Sequence, residues 1–413
     1  MKDVCVIGGG IVGLCSAYFL HGAGLDVTII DKGDFTTGCS FGNAGMIVPS
    51  HFTPLASPGM MTKGIQWMFQ KKSPFFIRPR LDFDLLRWLW LFDRSATREN
   101  VEQAAPVLRD MHLEGKEFYH QLNQSDGFDF GMQEKGILML YQTEETEQEE
   151  EETADVAYTL GIEAKKLSHS QLQSLERGTK IDARGGIYYP GDAHLHPEKL
   201  MQQLKAFLEK AGVLFIAGEE VLNIEDKGVL GCDITTTGNQ KWSPKNVVIA
   251  CGSWTGKLVK QDKKRLPIQD GKGYSMTFTQ PASMPSIPSI LVDARVAITP
   301  MAKDLRISGT LEISGMDDKI RMAKVSGILG SVPEYYPDLK FNSIPPVWYG
   351  YRPCSPDGLP YIGRGQQDSS IIIASGHAMM GLSLAPSTGR MIRDCIIYKK
   401  QLVNPILNPS RFS

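Results

Sequence analysis

Residues 1–32 read MKDVCVIGGGIVGLCSAYFLHGAGLDVTIIDK, and the fold is decided in this stretch. Asp3 to Ile7 forms a short apolar run that reads as a strand, and Gly8, Gly10 and Gly13 follow it as G-x-G-x-x-G. Ile11, Leu14, Cys15, Tyr18 and Phe19 recur at helical spacing, and a second apolar strand, Val27 to Ile30, ends on Asp31. Strand, glycine turn, helix, strand and terminal acid together predict the start of a dinucleotide-binding fold. Gly8 permits the tight turn, Gly10 lets a pyrophosphate reach the backbone, and Gly13 lets helix and strand pack closely. The free N–H groups and positive dipole end of the helix face the phosphates. Asp31 stands where a carboxylate bonds ribose hydroxyls.

The rest of the chain has the composition of a globular protein. Its 413 residues predict two or three domains with an ample core, and 42% hydrophobic and 22% charged residues are ordinary for a soluble protein. A net charge of -2 argues against a nucleic-acid partner. Seven cysteines (5, 15, 39, 232, 251, 354, 395) are scattered without a C-x-x-C pair, so neither zinc nor a disulfide framework is expected, and the reducing cytoplasm is. No basic n-region precedes the first strand and no apolar run reaches membrane-spanning length, so neither a signal peptide nor a transmembrane helix is expected.

Beyond Asp31 comes a loop of small residues, TTGCSFGNAGMIVPS (36–50), then an aromatic and basic stretch, GIQWMFQKKSPFFIRPRLDFDLLRWLWLF (64–92). This part of residues 60–92 reads either as a helical cover over a substrate site or as a surface for peripheral contact with a membrane. Helical text runs from about 96 to 122, GILMLY (136–141) reads as a strand, and EETEQEEEETADVAYTLG (144–161) reads as a solvated acidic helix. A helix at 199–211, the strands VLFIAG, VLNI and CDITTT, and an apolar strand at 247–250 running into Gly252 resume the nucleotide-binding pattern. A β-rich block at 267–315, a helical stretch to about 329, the strand SIIIAS and a helix through Ile397 complete the chain. His194 and His196 form H-x-H, but further ligands would be needed for a metal, and none is expected.

Seven motifs occur in a telling order: the first glycines, SFGNAGMIVP (40–49), VVIACGSWT (247–255), KGYSMT (272–277), VAITPMAKDLRISGTLEI (296–313), GYRPCSPDGLPYIG (350–363) and SGHAMMGLSLAPSTGR (375–390). In these the chain resembles the FAD-dependent amino acid oxidase/dehydrogenase (DAO) family, most of all bacterial D-amino acid dehydrogenases, and also glycine and sarcosine oxidases. The resemblance implies an α/β and α+β fold, with a Rossmann-like FAD-binding domain interleaved with an antiparallel-sheet substrate domain, as in glutathione reductase and DAO proteins. It implies domain ranges of 1–58, 183–262 and 348–413 for FAD and 59–182 and 263–347 for substrate, to within about ten residues.

The same resemblance implies the site. Ile7, Ile11, Val12 and Lys32 join the glycines and Asp31 around the nucleotide. Ser40, Asn43, Ala44, Gly45 and Met46 meet pyrophosphate and flavin ring, small side chains permitting close approach. Val221 meets the adenine through its backbone, and Ala250, Cys251, Gly252 and Trp254 line the adenosine side. Gly376, His377, Met379, Met380, Gly381 and Leu382 lie beside the flavin, where a helix N-terminus stabilises charge gathered on reduction. Arg352 is expected to touch both flavin and substrate, gripping an amino acid carboxylate bidentately, with Trp348, Tyr349 and Tyr351 as walls. Tyr274 reads equally as a second carboxylate ligand or as a core aromatic, and His377 as a substrate contact or a structural histidine. Cys354 does not align with the cysteine of covalent sarcosine oxidases, so non-covalent FAD is expected. The implied reaction is oxidative deamination of a D-amino acid, D-proline or a hydroxyproline included, with electrons passed to a quinone or other acceptor. An oxidase of glycine or sarcosine using O₂ is the alternative.

Overall fold

The computed structural model describes residues 2–68, 75–261, 264–366, 368–398 and 404–413. Val4–Ile7 lies between two parallel neighbours in exact one-to-one register, Val4 opposite both Val27 and Asn246. All four of its residues are buried, because helices cover one face of the sheet and a small three-stranded sheet (Val221–Asp226, Cys232–Thr236 and Lys241–Trp242) covers the other. Such double coverage is why the sequence reads as an unbroken apolar run rather than an alternation. The full order across this sheet is 361–364, 371–375, 246–249, 4–7, 27–30 and 214–216, with only 361–364 antiparallel.

The first helix, Ile11–Gly22, packs against the C-terminal helix, Gly381–Ile397, at very close range. A Cβ added at Gly389 would lie 2.7 Å from the Cys15 backbone, and one at Gly115 would lie 2.2 Å from the Ser383 carbonyl. Gly115 belongs to the Arg98–Asn123 helix, whose Leu108, Met111, Tyr119 and Leu122 enter the same core. That helix therefore packs with the nucleotide-binding layer, although it falls within the range 59–182 expected for the substrate domain.

The second sheet has nine strands. Val347–Cys354 forms its edge, followed by Gln269–Thr279, Asp304–Ile313, Val296–Met301, Ser289–Leu291, Ile137–Tyr141, Gly185–Tyr189 and Lys165–Ser168; Phe75–Ile77 runs beside Leu311–Ile313. The strands at 185–189 and 347–354 pair here, within the ten-residue margin of the expected domain boundaries at 183 and 348. One face is sealed by the Met322–Tyr335 helix through Val325, Ile328 and Val332. The other face looks toward the nucleotide-binding layer.

The aromatic stretch forms a helix at Met60–Met68, the strand Phe75–Ile77 and a helix at Phe83–Ser95. The acidic run is a helix, Glu144–Thr159, exposed or half-buried along its length as its composition predicts, except that Glu150 and Ala157 turn inward and are buried. Burial pushes the Glu150 carboxyl up to about 7.

Candidate active site

A cavity of about 770 Å³ runs between the two sheets, from Gly8 and Asp31 at one end to Arg352 and the Met60–Phe92 elements at the other. At the nucleotide end Gly8 has φ +105°, and a Cβ there would lie 2.5 Å from the Ala250 carbonyl. A Cβ at Gly13 would lie 1.9 Å from the Gly8 carbonyl, so these two glycines are required by the protein itself. Gly10 differs: a Cβ there would meet nothing closer than Ser40 Oγ at 3.5 Å, and would instead fill the space in front of the helix N-terminus. No acid stands in that helix's first turn, and its Ile11 N–H donates to Ser40 Oγ at 3.1 Å. A phosphate fits this cradle. Asp31 accepts the N–H groups of Gly9 at 2.6 Å and Gly33 at 2.7 Å, and keeps lone pairs for ribose hydroxyls. Lys32 lies over Trp254, 3.8 Å from the ring centroid, and Val12, Val221, Ala250, Cys251 and Gly252 line the same end.

Ser40, Asn43, Ala44 and Met46 line the middle of the cavity. Their loop is held from below by Arg306, whose guanidinium donates to the carbonyls of Phe41 at 3.0 Å and Asn43 at 2.8 Å. Sequence reasoning missed Arg306; its signal is a charged residue at alternate spacing with Ser308 and Thr310, which line the cavity. Gly42 and Gly350 make room for the Trp348 indole, since a Cβ at either would come within 2.2 Å of that ring.

The substrate end is built around Arg352. Gly273 lacks the Cβ that would sit 2.2 Å from its guanidinium, and the Thr310 carbonyl accepts from Nη1 at 2.6 Å. That carbonyl is turned by a bulge, where the pairing shifts register between Lys272 and Tyr274 and Thr310 takes φ 72°. A β-branched residue in the left-handed region is a real outlier and marks a strained functional position. No carboxylate pairs with Arg352 among the described residues. Desolvation lowers its pKa, yet it stays charged.

Tyr274 is placed differently from the ligand role considered for it. It borders the cavity, but its ring packs with Met276, Ile307 and Ile328 under the covering helix, and its hydroxyl accepts the Arg321 N–H at 3.2 Å. The bulge turns its side chain to the sealed face. His377 lines the cavity, yet its Nε2 is engaged with Thr388 Oγ1 at 2.9 Å and burial lowers its pKa to about 3. It is a neutral ring that braces the start of the C-terminal helix. Gly376, at φ +84°, Met379, Met380, Gly381 and Leu382 follow the turn, and that helix too starts without an acid. Cys354 is fully buried under the Trp88 helix, and burial pushes its thiol up to about 12. His194 sits in a short ladder with Met46, while His196 caps the Pro197–Lys210 helix.

His51 was not picked out by sequence reasoning. It lines the cavity, and its Nδ1 lies 3.0 Å from Ser50 Oγ, which donates to Asp192 Oδ2 at 2.5 Å. His112 stands beside it, with Nδ1 2.7 Å from Ser383 Oγ.

The model of the family described as FAD dependent oxidoreductase, DAO, matches residues 3–395. A D-amino acid dehydrogenase of Helicobacter pylori is 30% identical over 395 residues, covering 95% of this chain and 94% of that protein. One from Granulibacter bethesdensis is 28% identical over 403 residues, covering 96% of each. Among solved structures, glycine oxidase from Geobacillus kaustophilus superposes with a TM-score of 0.79 at 22% identity, covering 100% of this chain and 99% of that one. L-proline dehydrogenase from P. horikoshii gives 0.71 at 20% identity, covering 100% and 97%. The fold is thus held in common with these proteins, and the chain belongs to the FAD-dependent oxidoreductase family DAO.

Proposed function

We propose that the protein oxidises a D-amino acid, cyclic imino acids such as D-proline or a hydroxyproline included, to its imine and passes the electrons to a quinone or another acceptor. The observation that carries this reading is Arg352, a guanidinium at the wall of an apolar cavity with no carboxylate partner among the described residues. A buried charge without a partner is costly, and a substrate carboxylate is the group that would satisfy it.

FAD, when bound, supplies the hydride acceptor. Arg352 holds the carboxylate in a fixed plane, and the Thr310 carbonyl fixes the guanidinium in turn. The acids lining the cavity among the described residues are Asp31, Glu219 and Glu220, at the nucleotide end, so no carboxylate there holds the amine as an ammonium, and it is neutral when the hydride leaves. Leu311, Ile313, Trp88 and Phe92 wall the substrate end and exclude water. Non-covalent FAD accords with Cys354, a buried and protonated thiol that does not line the cavity.

The test is anaerobic bleaching of the bound flavin by a panel of D-amino acids, L-amino acids and N-methylglycine. D-Amino acids are expected to bleach it and dyes to be reduced under air. Bleaching by L-amino acids alone would overturn the reading, and peroxide release with glycine or N-methylglycine would replace it by an oxidase.

Peripheral contact with an anionic lipid surface belongs to the same reading. Leu81, Phe83, Leu86 and Trp90 are exposed in a row on and beside the Phe83–Ser95 helix, and residues 64–92 hold five Lys or Arg against two Asp. No helix among the described residues is long and apolar enough to cross a membrane, and an exposed apolar row beside basic side chains suits lying on the surface.

A further inference from the structure

His51, Ser50 and Asp192 form one hydrogen-bonded line leading from the cavity wall into the interior. Asp192 is 0% exposed and Ser50 is 6% exposed. Ser50 also donates its backbone N–H to Asp192 Oδ1 at 3.1 Å, so the carboxylate is clamped by one residue at both oxygens. The Ser50 hydroxyl has a single proton. When that proton points to Asp192, His51 must donate through Nδ1, which leaves Nε2 as an acceptor. Among the described residues nothing hydrogen-bonds to Nε2.

The line has a second state with every bond reversed: Asp192 protonated and donating to Ser50, Ser50 donating to Nδ1, and the ring proton on Nε2. We propose that His51, Ser50 and Asp192 are a proton relay that discharges the ammonium group of the bound amino acid before its oxidation. This rests on the amino-acid reading above. In the step, an ammonium N–H bond breaks as Nε2–H forms, Nδ1–H breaks as the serine O–H forms, and the original serine O–H breaks as Oδ2–H forms. No electrons change hands. The cation of the substrate and the anion of Asp192 disappear together, and no imidazolium is left in the cavity.

The surroundings favour that resting place for the proton. Burial lowers His51 to about 4, so the ring passes a proton on rather than keeping it, while burial pushes Asp192 up to about 7. The other titratable groups facing the line are His112 beside His51, and Lys116 and Tyr189 beside Asp192. Lys116 is paired with Glu134 at 2.7 Å, His112 is held down to about 3, and burial holds the Tyr189 phenol above its usual range. Glu150, beyond Tyr189, does titrate near neutrality and so serves as the control.

The experiment measures anaerobic flavin bleaching by D-proline against pH in the FAD-loaded wild type, Ser50→Ala, His51→Gln, Asp192→Asn and Glu150→Gln. The first three variants are expected to be at least tenfold slow at about pH 7 and to gain steadily on the wild type as the pH rises toward the pKa of the free substrate amine, where neutral amine no longer needs the relay. Glu150→Gln should follow the wild type. A loss equal at all pH values, or no loss, overturns the relay; Ser50→Ala and His51→Gln carry the test if Asp192→Asn does not fold. A readout without turnover uses 2-aminoisobutyrate, which has no Cα–H to lose. Its binding should raise a carboxylic acid C=O band in the infrared difference spectrum of the wild type, absent from Asp192→Asn and Ser50→Ala. Binding without that band overturns the relay. If no amino acid bleaches the wild type, the amino-acid reading fails and the relay with it; bleaching with unshifted profiles sinks the relay alone.

Discussion

Arg352→Ala should lower the efficiency of flavin reduction by roughly ten- to a hundredfold, since a charge-assisted bond to a carboxylate contributes about 1.5–3 kcal/mol. Arg352→Lys should recover little of this, because an ammonium offers no planar fork to the carboxylate and cannot reach both it and the Thr310 carbonyl. Steady-state kcat/KM for the active amino acid decides both. The glycines divide more finely. Gly13→Ala places a Cβ 1.9 Å from the Gly8 carbonyl and should cost soluble protein, whereas Gly10→Ala meets no protein atom within 3.4 Å. Gly10→Ala should therefore fold with a near wild-type Tm and lose FAD on gel filtration. These residues were legible from spacing alone, because their jobs are set by neighbours in the chain. Arg306 and Asp192 were not, because their partners lie far away in sequence, Ser50 and Asp192 being 142 residues apart, and His51 was not because only the folded chain sets it at the cavity wall. Tyr274 shows the same limit from the other side. Its strand was legible, but which face it took depended on a bulge that no single strand reveals.

At the scale of elements, the Phe83–Ser95 helix has two apolar faces. Trp88 and Phe92 stack at 5.1 Å on the inner one and line the cavity, while Leu86 and Trp90 stand on the outer one with Arg94 over the Trp90 ring. Its sequence offered both readings, cover and membrane surface, because a run apolar on all sides does not say which side is inward. Changing Phe83, Leu86 and Trp90 together to Glu should abolish sedimentation with phosphatidylglycerol vesicles and leave Tm within a degree or two, since all three are exposed. Unchanged sedimentation would remove this face from the membrane. The strands were easier to read than their grouping. The 185–189 and 347–354 segments look apolar in either sheet, and only pairing decides which one they join.

For the molecule as a whole, stability should depend on pH through its buried histidines. His51, His112, His194 and His377 are held neutral, at about 4, 3, 4 and 3, against an ordinary value of 6.5. Below about pH 6.5 the unfolded chain binds protons that the folded chain refuses, so their contribution is whole above that pH and falls as the pH drops toward 4. Asp192 and Glu150, raised to about 7, and Asp270, raised to about 6, act in the opposite sense, losing stability as the pH rises toward 7. Four histidines outweigh three acids, so Tm by differential scanning fluorimetry should be lower at pH 5 than at pH 7. An equal or higher value at pH 5 would contradict this.

The nesting of the chain termini has a further consequence, for synthesis. Residues 4–7 sit at the middle of a sheet whose 371–375 strand, with the 381–397 helix packed behind it, is made hundreds of residues later. At about 5–20 residues per second, the first helix waits roughly 20–80 s on the ribosome before Gly389 can close over Cys15. During that wait its apolar side is open to chaperones, and the phosphate cradle has no settled wall behind it. A chain ending at residue 380 should stay in that unfinished condition, binding trigger-type holdases and failing to turn yellow, however correct its first thirty residues are.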